Sequence, residues 1–310
     1  MQIVPISGQP IDDIMLQPVA VALGNFDGVH KGHQLLLRRD VDLAQELGAI
    51  PAVCTFYPHP VKFHKRDIEL ICTQEDKYGL LERYGAEICF VVNFDAHFSS
   101  LSPEEFVEKY LVRRMYAKAV VVGSDYNFGK NRSGNAEVLQ KLCAEKGIRC
   151  EIIQQLTVEG APVSSSRIRK VIQTGRYEDL PPLLGRYMEY TGIVGHGEKL
   201  GRKIGFPTAN LMLDNEALPP DGIFTGYMDV EGKTYPVMAY MGTRPTVTDS
   251  PKRGFEVNII GLPSDKSLYD EKLTVTITKK IRDDIKFASV DELTAQLAKD
   301  RQAALEVFNG

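Results

Sequence analysis

The segment Gly24–His33 combines glycines and histidines in a pattern suited to phosphate chemistry. An apolar run, Val19–Leu23, precedes it and a helical pattern follows it, so the order is strand, glycine-rich turn and helix. Glycines let backbone N–H groups approach a ligand closely, and a helix N-terminus attracts anions. His30 and His33 stand where the helix begins, and they can add hydrogen bonds or positive charge there. The segment predicts a nucleotide-phosphate cradle.

Two other interpretations of His30 and His33 stay open at this point. The side chains can simply cap the helix or face solvent. Histidines three residues apart on a helix can also ligate zinc. The nearby Cys54, His59 and His64 lack a recognisable ligand spacing. The rest of the chain has to decide between these interpretations.

A second candidate site lies in the basic, glycine-rich stretch 196–210. It ends with Thr208 and Asn210, which are two residues apart and therefore point the same way on an extended chain. Their side-chain oxygens suit Mg²⁺ or phosphate. The alternative interpretation is a polar loop that leads into a strand.

The first half of the chain alternates apolar runs with helical patterns. Near-continuous apolar runs indicate strands buried on both faces of a parallel, doubly wound sheet, so we expect an α/β fold. Helix starts are predicted at Thr73, at Ser102 with its capping-box Glu105, and at Asn135. The predicted strands are Val19–Leu23, Ile50–Phe56, Glu87–Asn93, Lys118–Gly123 and Arg149–Gln154.

Polar loops follow the carboxyl ends of these strands, where ligands bind on such sheets. Gly24–His33 follows the first strand and Thr55–Pro60 ends the second. Gly123–Gly129 follows the fourth, and Ser164–Arg169 comes after the fifth. The last segment brings hydroxyls and guanidinium groups together and predicts a second anion site. Each loop alone is explained by a turn or a cap, but four loops at one edge favour a binding site.

The pattern changes after Pro181–Arg186 to short β-rich segments separated by Gly, Pro and Asp. This spacing predicts an antiparallel barrel. Residues from Ser289 to about Val307 predict a final helix packed on that barrel. The predicted domains are therefore residues 1–185 and 186–310. The predicted barrel strands are Tyr187–Val194, Gly222–Val230, Thr234–Met241, Gly254–Ile260 and Leu273–Thr278.

The composition is that of an ordinary globular protein, with 310 residues, 43% hydrophobic and 25% charged. A net charge of −4 argues against a broad nucleic-acid-binding surface. Five cysteines without a C-x-x-C pair indicate reduced thiols. The N-terminus lacks a signal-peptide pattern, and no apolar run is long enough for a bilayer. We therefore expect a cytoplasmic protein with neither a nucleic-acid nor a membrane partner.

These motifs resemble the bacterial bifunctional riboflavin kinase/FMN adenylyltransferase (FAD synthetase) family over essentially the whole chain. Gly24–His33 matches its G-x-F-D-G-x-H-x-G-H segment, and Thr55–Pro60 matches T-F-x-P-H-P. Val122–Gly129 resembles V-G-x-D-F-x-F-G, and Ser164–Arg169 resembles S-S-T-R-I-R. In the second half, Gly201–Asn210 resembles the riboflavin kinase signature G-R-x-I-G-F-P-T-A-N.

The resemblance implies a fold and two reactions. The fold is an N-terminal Rossmann-like nucleotidyltransferase domain followed by a riboflavin-kinase-like β-barrel with a terminal helix. In the barrel, ATP and Mg²⁺ would convert riboflavin to FMN. In the N-terminal domain, a second ATP would adenylate FMN to give FAD and pyrophosphate. The oligomeric state, including weak self-association, is left open.

The resemblance also assigns roles to residues. The implied catalytic residues are Glu256, His30, His33 and Arg169, with Glu256 as the general base for the riboflavin hydroxyl. The implied ATP- and phosphate-binding residues are Gly24, Phe26, Asp27, Gly28, Ser165, Ser166, Arg167, Gly201, Lys203, Gly205, Pro207, Thr208 and Asn210. The implied flavin-binding residues are His59, Pro60, Asp125, Tyr126, Asn127, Thr243, Arg244 and Thr246. Mg²⁺ would be held by Thr208 and Asn210.

The sequence departs from the family pattern near Glu256. Asn258 stands where His is usual, Gly261 and Leu262 replace an Asp-Phe pair, and Asp270 replaces Gly. We expect kinase identity to survive, while kinase rate and flavin affinity are more open to change. Two alternatives are kept: a nucleotidyltransferase acting on another phosphate acceptor, and a flavin-binding sensor with weakened catalysis.

Overall fold

A computed structural model describes residues 1–6, 17–65, 67–195, 201, 204–243, 253–263 and 266–309. The chain divides into two compact units, Met1–Ser165 and Ser166–Gly310. Each unit has its own architecture, given separately below. The boundary predicted after residue 185 stays a prediction.

The first unit is built on a parallel sheet of six strands in the order β1-β4-β3-β2-β5-β8. Every ladder in it is parallel, which confirms the predicted doubly wound α/β arrangement. Strand β2 lies inside the sheet and all five of its residues are buried, as its continuous apolar run predicts. The strands are β1 Gln2–Ile6, β2 Val19–Leu23, β3 Ile50–Tyr57, β4 Ile88–Asn93, β5 Ala117–Gly123 and β8 Arg149–Ile153.

Strand β1 was not predicted. It pairs with β4 at the edge of the sheet, and its burial alternates instead of running continuously. Pro5 lies inside it, which is compatible only with an edge position. Its short alternating pattern therefore lacks the signal that identified the five inner strands.

Helices cover the sheet and begin at the predicted signals. The Thr73 side chain accepts from the Asp76 N–H, Ser102 forms a capping box with Glu105, and Asn135 caps the third predicted helix. The helices are α1 Lys31–Leu47, α2 Pro60–Phe63, α3 Gln74–Arg83, α4 Ala96–Ser99, α5 Pro103–Phe106 with its π-helical continuation Val107–Val112, and α6 Ala136–Glu145. A 3₁₀ turn, Lys130–Arg132, and two short hairpins complete the unit: β6 Asn127–Phe128 with β7 Gly134–Asn135, and β9 Thr157–Val158 with β10 Ala161–Pro162.

The second unit contains a closed antiparallel barrel in the order β11-β12-β15-β14-β13-β16. This confirms the predicted barrel. The strands are β11 Met188–Gly195, β12 Ala209–Leu213, β13 Gly222–Val230, β14 Lys233–Thr243, β15 Arg253–Ile259 and β16 Lys272–Arg282. The helices are α7 Ser165–Thr174, α8 Leu180–Leu184 after a 3₁₀ turn at Tyr177–Asp179, and α9 Val290–Asn309.

The terminal helix α9 packs on the barrel, as predicted. Ala304 of α9 is fully buried in one apolar cluster with Ile223 and Met238 of the barrel. The Arg282 Nη2 atom at the end of β16 lies 2.8 Å from the Asp300 Oδ2 atom, and Asp300 is buried. A paired, buried carboxylate fixes the rotation of the helix as well as its contact.

Candidate active sites

The predicted cradle is a tightly held turn between β2 and α1. The Gly24 N–H donates to the Cys54 carbonyl of β3 over 3.1 Å, which ties the turn to the neighbouring strand. Phe26 and Val29 have φ values of 53° and 38°, and both are fully buried. Left-handed backbone at such residues is strained and persists only where the surroundings enforce it. Gly28, with a φ of 80°, supplies the same conformation without that strain.

His30 and His33 form one unit at the start of α1. The His30 Nδ1 atom accepts from the His33 N–H over 3.3 Å, so His30 is the N-cap of the helix. The two rings stack with centroids 3.6 Å apart. A Cβ on Gly32 would come within 3.1 Å of the His30 ring, so a glycine there leaves the ring room. The capping interpretation of His30 is thus correct, and it places both imidazoles at the anion-attracting end of the helix.

The pKa of His33 lies well below its ordinary value, because burial disfavours the charged ring and because His30 and Lys77 lie nearby. Its Nδ1 atom is buried and has no hydrogen-bond partner among the described residues. A neutral, unsatisfied imidazole at a helix N-terminus can take up a proton when a polyanion arrives.

The Asp27 carboxylate serves the turn itself. Its Oδ1 atom accepts from the Ile71 N–H over 2.9 Å, and the residue is buried. The Asp27 carbonyl accepts from the Ser165 Oγ–H over 2.9 Å. The structure therefore brings the predicted Ser165 to the cradle. Ser166, Arg167 and Arg169 belong to the second unit, so their predicted place at the same phosphates stays a prediction.

The other predicted loops of the first unit follow β3 and β5, the two strands that flank β2. His59 caps the short helix that begins at Pro60, with its Nδ1 atom 3.2 Å from the Val61 N atom. Asn127 donates from Nδ2 to the Asp125 carbonyl over 2.7 Å. The sheet order thus gathers these loops beside the cradle at one edge, as predicted.

Tyr126 lies in the predicted loop Gly123–Gly129, which follows β5. Its ring stacks on Phe128 with centroids 5.7 Å apart. Burial raises the pKa of Tyr126 well above its ordinary value, so the phenol stays protonated. The ring is partly buried and packs against the apolar core of the first unit.

The second candidate site is a row of polar side chains across three barrel strands. Asn210 of β12 pairs with Glu256 of β15, which in turn pairs with Tyr240 of β14. Directly paired residues share a face of the sheet, so these three side chains lie side by side. Thr208 donates from Oγ1 to the Glu256 Oε2 atom over 3.1 Å. The predicted metal-binding residues and the predicted base are therefore in contact.

The backbone that leads to Thr208 is held by a hydrogen-bonded turn at Gly201 and by the side chain of Asn258. The Gly201 carbonyl accepts from the Phe206 N–H over 2.8 Å, and a Cβ on Gly201 would lie 2.2 Å from the Phe206 oxygen. Gly205 adopts a φ of 84° in the same turn. The Pro207 carbonyl accepts from the Asn258 Nδ2–H over 2.7 Å. Asn258, which departs from the family pattern, thus holds Pro207 in the segment that resembles the riboflavin kinase signature.

Asp270, another departure, adopts a left-handed backbone conformation of the kind that favours glycine. It adopts a φ of 65°, and its N–H donates to the Val194 carbonyl over 2.9 Å. Asp tolerates this region better than most residues with a side chain. Three residues of the predicted sites, Lys203, Arg244 and Thr246, lie outside the described residues. Thr243 is placed at the end of β14.

Sequence reasoning missed Tyr240 and Lys77. Burial and nearby carboxylates, first Asp284, raise the pKa of Tyr240 to about 12, so its hydroxyl is a donor. A Cβ on Gly242 would lie 2.0 Å from that hydroxyl, so Gly242 makes room for the ring. The alternation of Tyr240 and Gly242 on one face was a usable signal. Lys77 is buried on α3. The only sequence signal for this residue was its position on the apolar face of that helix.

The described residues offer neither a metal cluster nor a membrane span. Among them, no group of three or more His, Cys, Asp or Glu side chains is placed to hold a metal ion. No helix in the described part of the chain is both long and apolar enough to cross a membrane.

Two family models match the chain in succession. Residues 13–167 match the FAD synthetase family, and residues 184–308 match the riboflavin kinase family. A curated bifunctional riboflavin kinase/FMN adenylyltransferase from Bacillus subtilis (strain 168) is 37% identical over 296 residues, covering 93% of this chain and 92% of that protein. One of the same description from Escherichia coli (strain K12) is 34% identical over 293 residues, covering 93% and 92%.

Among solved structures, the crystal structure of a macrolide-efflux protein from Streptococcus pneumoniae superposes with a TM-score of 0.87. That protein is 32% identical to this chain, and the match covers 97% of this chain and 98% of the other. The similarity therefore extends over both units.

Proposed function

This chain belongs to the bifunctional riboflavin kinase/FMN adenylyltransferase family, and we propose that the cradle after β2 binds ATP for adenylyl transfer while the polar row of the barrel performs the kinase reaction. The family resemblance of the motifs is confirmed, and the chain is an enzyme with both activities. The riboflavin kinase match over residues 184–308 favours this function over a nucleotidyltransferase with another acceptor.

At the cradle, FMN phosphate attacks the α-phosphate of ATP and pyrophosphate leaves. No protein nucleophile is required, because positioning and charge stabilisation accelerate such transfers. The observation that carries this assignment is the stacked pair His30 and His33 at the N-terminus of α1. His33 takes up a proton as the triphosphate binds, and both rings then stabilise the charge on the phosphates. Ser165, Ser166, Arg167 and Arg169 hold the departing pyrophosphate.

In the barrel, Glu256 accepts the proton of the riboflavin hydroxyl as that oxygen attacks the γ-phosphate of ATP. The Thr208 hydroxyl holds the Glu256 carboxylate in one orientation. Thr208 and Asn210 offer neutral oxygen ligands beside a carboxylate, a donor set that fits Mg²⁺, which takes few protein ligands and completes its shell with water and phosphate. When bound, Mg²⁺ neutralises charge on the ATP phosphates.

The flavin sites are proposed at the loops beside each reaction centre. His59, Pro60, Asp125, Tyr126 and Asn127 flank the cradle, and the flat ring of Tyr126 suits contact with an isoalloxazine. Thr243, Arg244 and Thr246 are proposed to bind riboflavin for the kinase reaction. Residues 1–185 and 186–310 are proposed as the functional halves, in a cytoplasmic enzyme.

The test uses the full chain with riboflavin, ATP and Mg²⁺, and separates the flavin products over time. A His30→Ala/His33→Ala variant is expected to accumulate FMN without FAD, because losing charge-stabilising groups costs roughly 10²–10³ in rate for each. Glu256→Gln is expected to lose FMN formation while still adenylating added FMN. Equal loss of both products in a folded His30→Ala/His33→Ala variant, or failure of a folded Glu256→Gln variant to adenylate added FMN, contradicts the assignment of the two sites.

A further inference from the structure

A lysine lies buried behind the cradle. Lys77 of α3 is 7% exposed and sits on the same helix face as Leu80 and Leu81. Burying an ammonium ion is costly, and an apolar residue of similar length usually fills such a place at least as stably. The Lys77 Nζ atom donates to the Thr55 Oγ1 atom over 3.3 Å. Packing alone therefore gives no reason for an ammonium group at this place.

Thr55 passes this contact on to the cradle. Its Oγ1–H donates to the Asn25 carbonyl over 3.2 Å, and Thr55 is fully buried. The preceding residue, Cys54, accepts the Gly24 N–H. Cys54 and Thr55 of β3 thus form hydrogen bonds with Gly24 and Asn25 of the turn. Lys77 holds Thr55, and through it the contact with Asn25.

The chain around Lys77 holds the far side of the same turn. The Ile71 N–H donates to the Asp27 carboxylate, and the Cys72 Sγ atom accepts from the Gly28 N–H over 3.3 Å. Residues 71–77, which we call the clamp segment, therefore contact the cradle at two points directly and at a third through Thr55. A turn with left-handed backbone at two buried residues is strained and needs such over-determination.

We propose that Lys77 is a positioning residue for adenylyl transfer, which fixes the ATP cradle through Thr55 and places a positive charge beneath it. The inference rests on the proposed role of the cradle in binding ATP. In a buried site the charge is weakly screened, so it acts on bound phosphates without touching them. After burial and His30, Lys77 is the third cause that lowers the pKa of His33 in the cradle.

The test replaces Lys77 with Met in the full-length enzyme. We expect kcat/KM for ATP in adenylyl transfer to fall at least tenfold, with the KM for FMN and the riboflavin kinase rate unchanged. The Tm is expected to stay equal or rise, because a buried charge is replaced by an apolar chain. Lys141→Met, at an exposed lysine of α6, is the matched control and should change neither activity. Full adenylyl transfer by a folded Lys77→Met variant overturns the proposal.

Thr55→Val separates positioning from folding. It keeps the shape of the side chain but removes the hydroxyl, so it should reproduce part of the Lys77→Met loss. The double variant should lose less than the product of the two single effects, because both act through one contact. Multiplicative losses refute the relay. Full activity in a folded Thr55→Val variant also refutes it, and this result can be obtained even if Lys77→Met does not fold. If His30→Ala/His33→Ala still forms FAD, the ATP-binding role of the cradle fails instead.

Discussion

The replacement of Asn258 by Leu tests how the kinase site is held. Asn258 is buried in β15, and its amide donates to the Pro207 carbonyl over 2.7 Å. The residue before it pairs with Ala209, so the contact lies directly beside Thr208. Leu has a similar volume but no donor. The substitution therefore releases the Pro207 carbonyl without opening a large cavity.

The size of the effect follows from that carbonyl. Pro207 is exposed, so the loss is that of an ordinary hydrogen bond, about 0.5–1.5 kcal/mol. If the whole cost falls on the transition state of phosphoryl transfer, kcat/KM for ATP decreases roughly 2- to 13-fold. If it falls on folding, the Tm drops by about 2–4 °C for each kcal/mol. Both quantities are measured on the same preparation.

The assay follows FMN formation from riboflavin, ATP and Mg²⁺, with adenylation of added FMN as the internal control in the same chain. Asn258→His serves as the conservative variant, because a ring N–H can also donate and the related family has His there. We expect Asn258→His to keep most of the kinase rate. A folded Asn258→Leu enzyme with wild-type kinase rate and Tm contradicts the reasoning.

Two further predictions concern buried titrating groups. Burial, His30 and Lys77 lower the pKa of His33, so an NMR titration of the free enzyme should give a His33 midpoint below that of an ordinary histidine. Lys77→Met should move this midpoint upward, and a wild-type midpoint at the ordinary value of 6.5 or above would be the contrary result. Burial raises the pKa of Asp40, which accepts from the Ala52 N–H. Since its folded pKa is raised, the wild type loses stability as pH rises from about 4 through that pKa. Between the two pKa values, the carboxyl group is ionised in the unfolded chain but still protonated in the folded one. Over that range the free energy of unfolding falls by ~1.4 kcal/mol for each pH unit. The Tm advantage of Asp40→Asn should therefore grow from pH 4 to pH 7, and a constant difference would count against it.

Much of the architecture was predictable because local and long-range signals agree. The apolar run of β2 predicts a strand covered on both faces, and Thr73, Ser102 and Asn135 each cap the helix predicted for them. The cradle was predictable for the same reason, since its glycines and histidines are adjacent in sequence. Strand β1 was missed because an edge strand with Pro5 carries a weak pattern.

The contacts that hold the sites were not predictable from local pattern. Lys77 reaches Thr55 across 22 positions, and Asn258 reaches Pro207 across 51. Neither residue belongs to a short motif, and each contact exists only after strand register and helix packing are fixed. A lysine on an apolar helix face and an asparagine in a strand are individually ordinary. Their partners are a property of the fold.

The two sites differ in what keeps them in place. The cradle is a strained turn whose conformation depends on several neighbours together. The polar row of the barrel depends on strand register, which the hydrophobic pattern of whole strands fixes, so no single side chain decides it. A ladder tolerates Asn258 in place of His if the replacement still donates, and Asp270 in place of Gly if it still accepts a left-handed backbone. Substitutions in the cradle should therefore be the more damaging of the two.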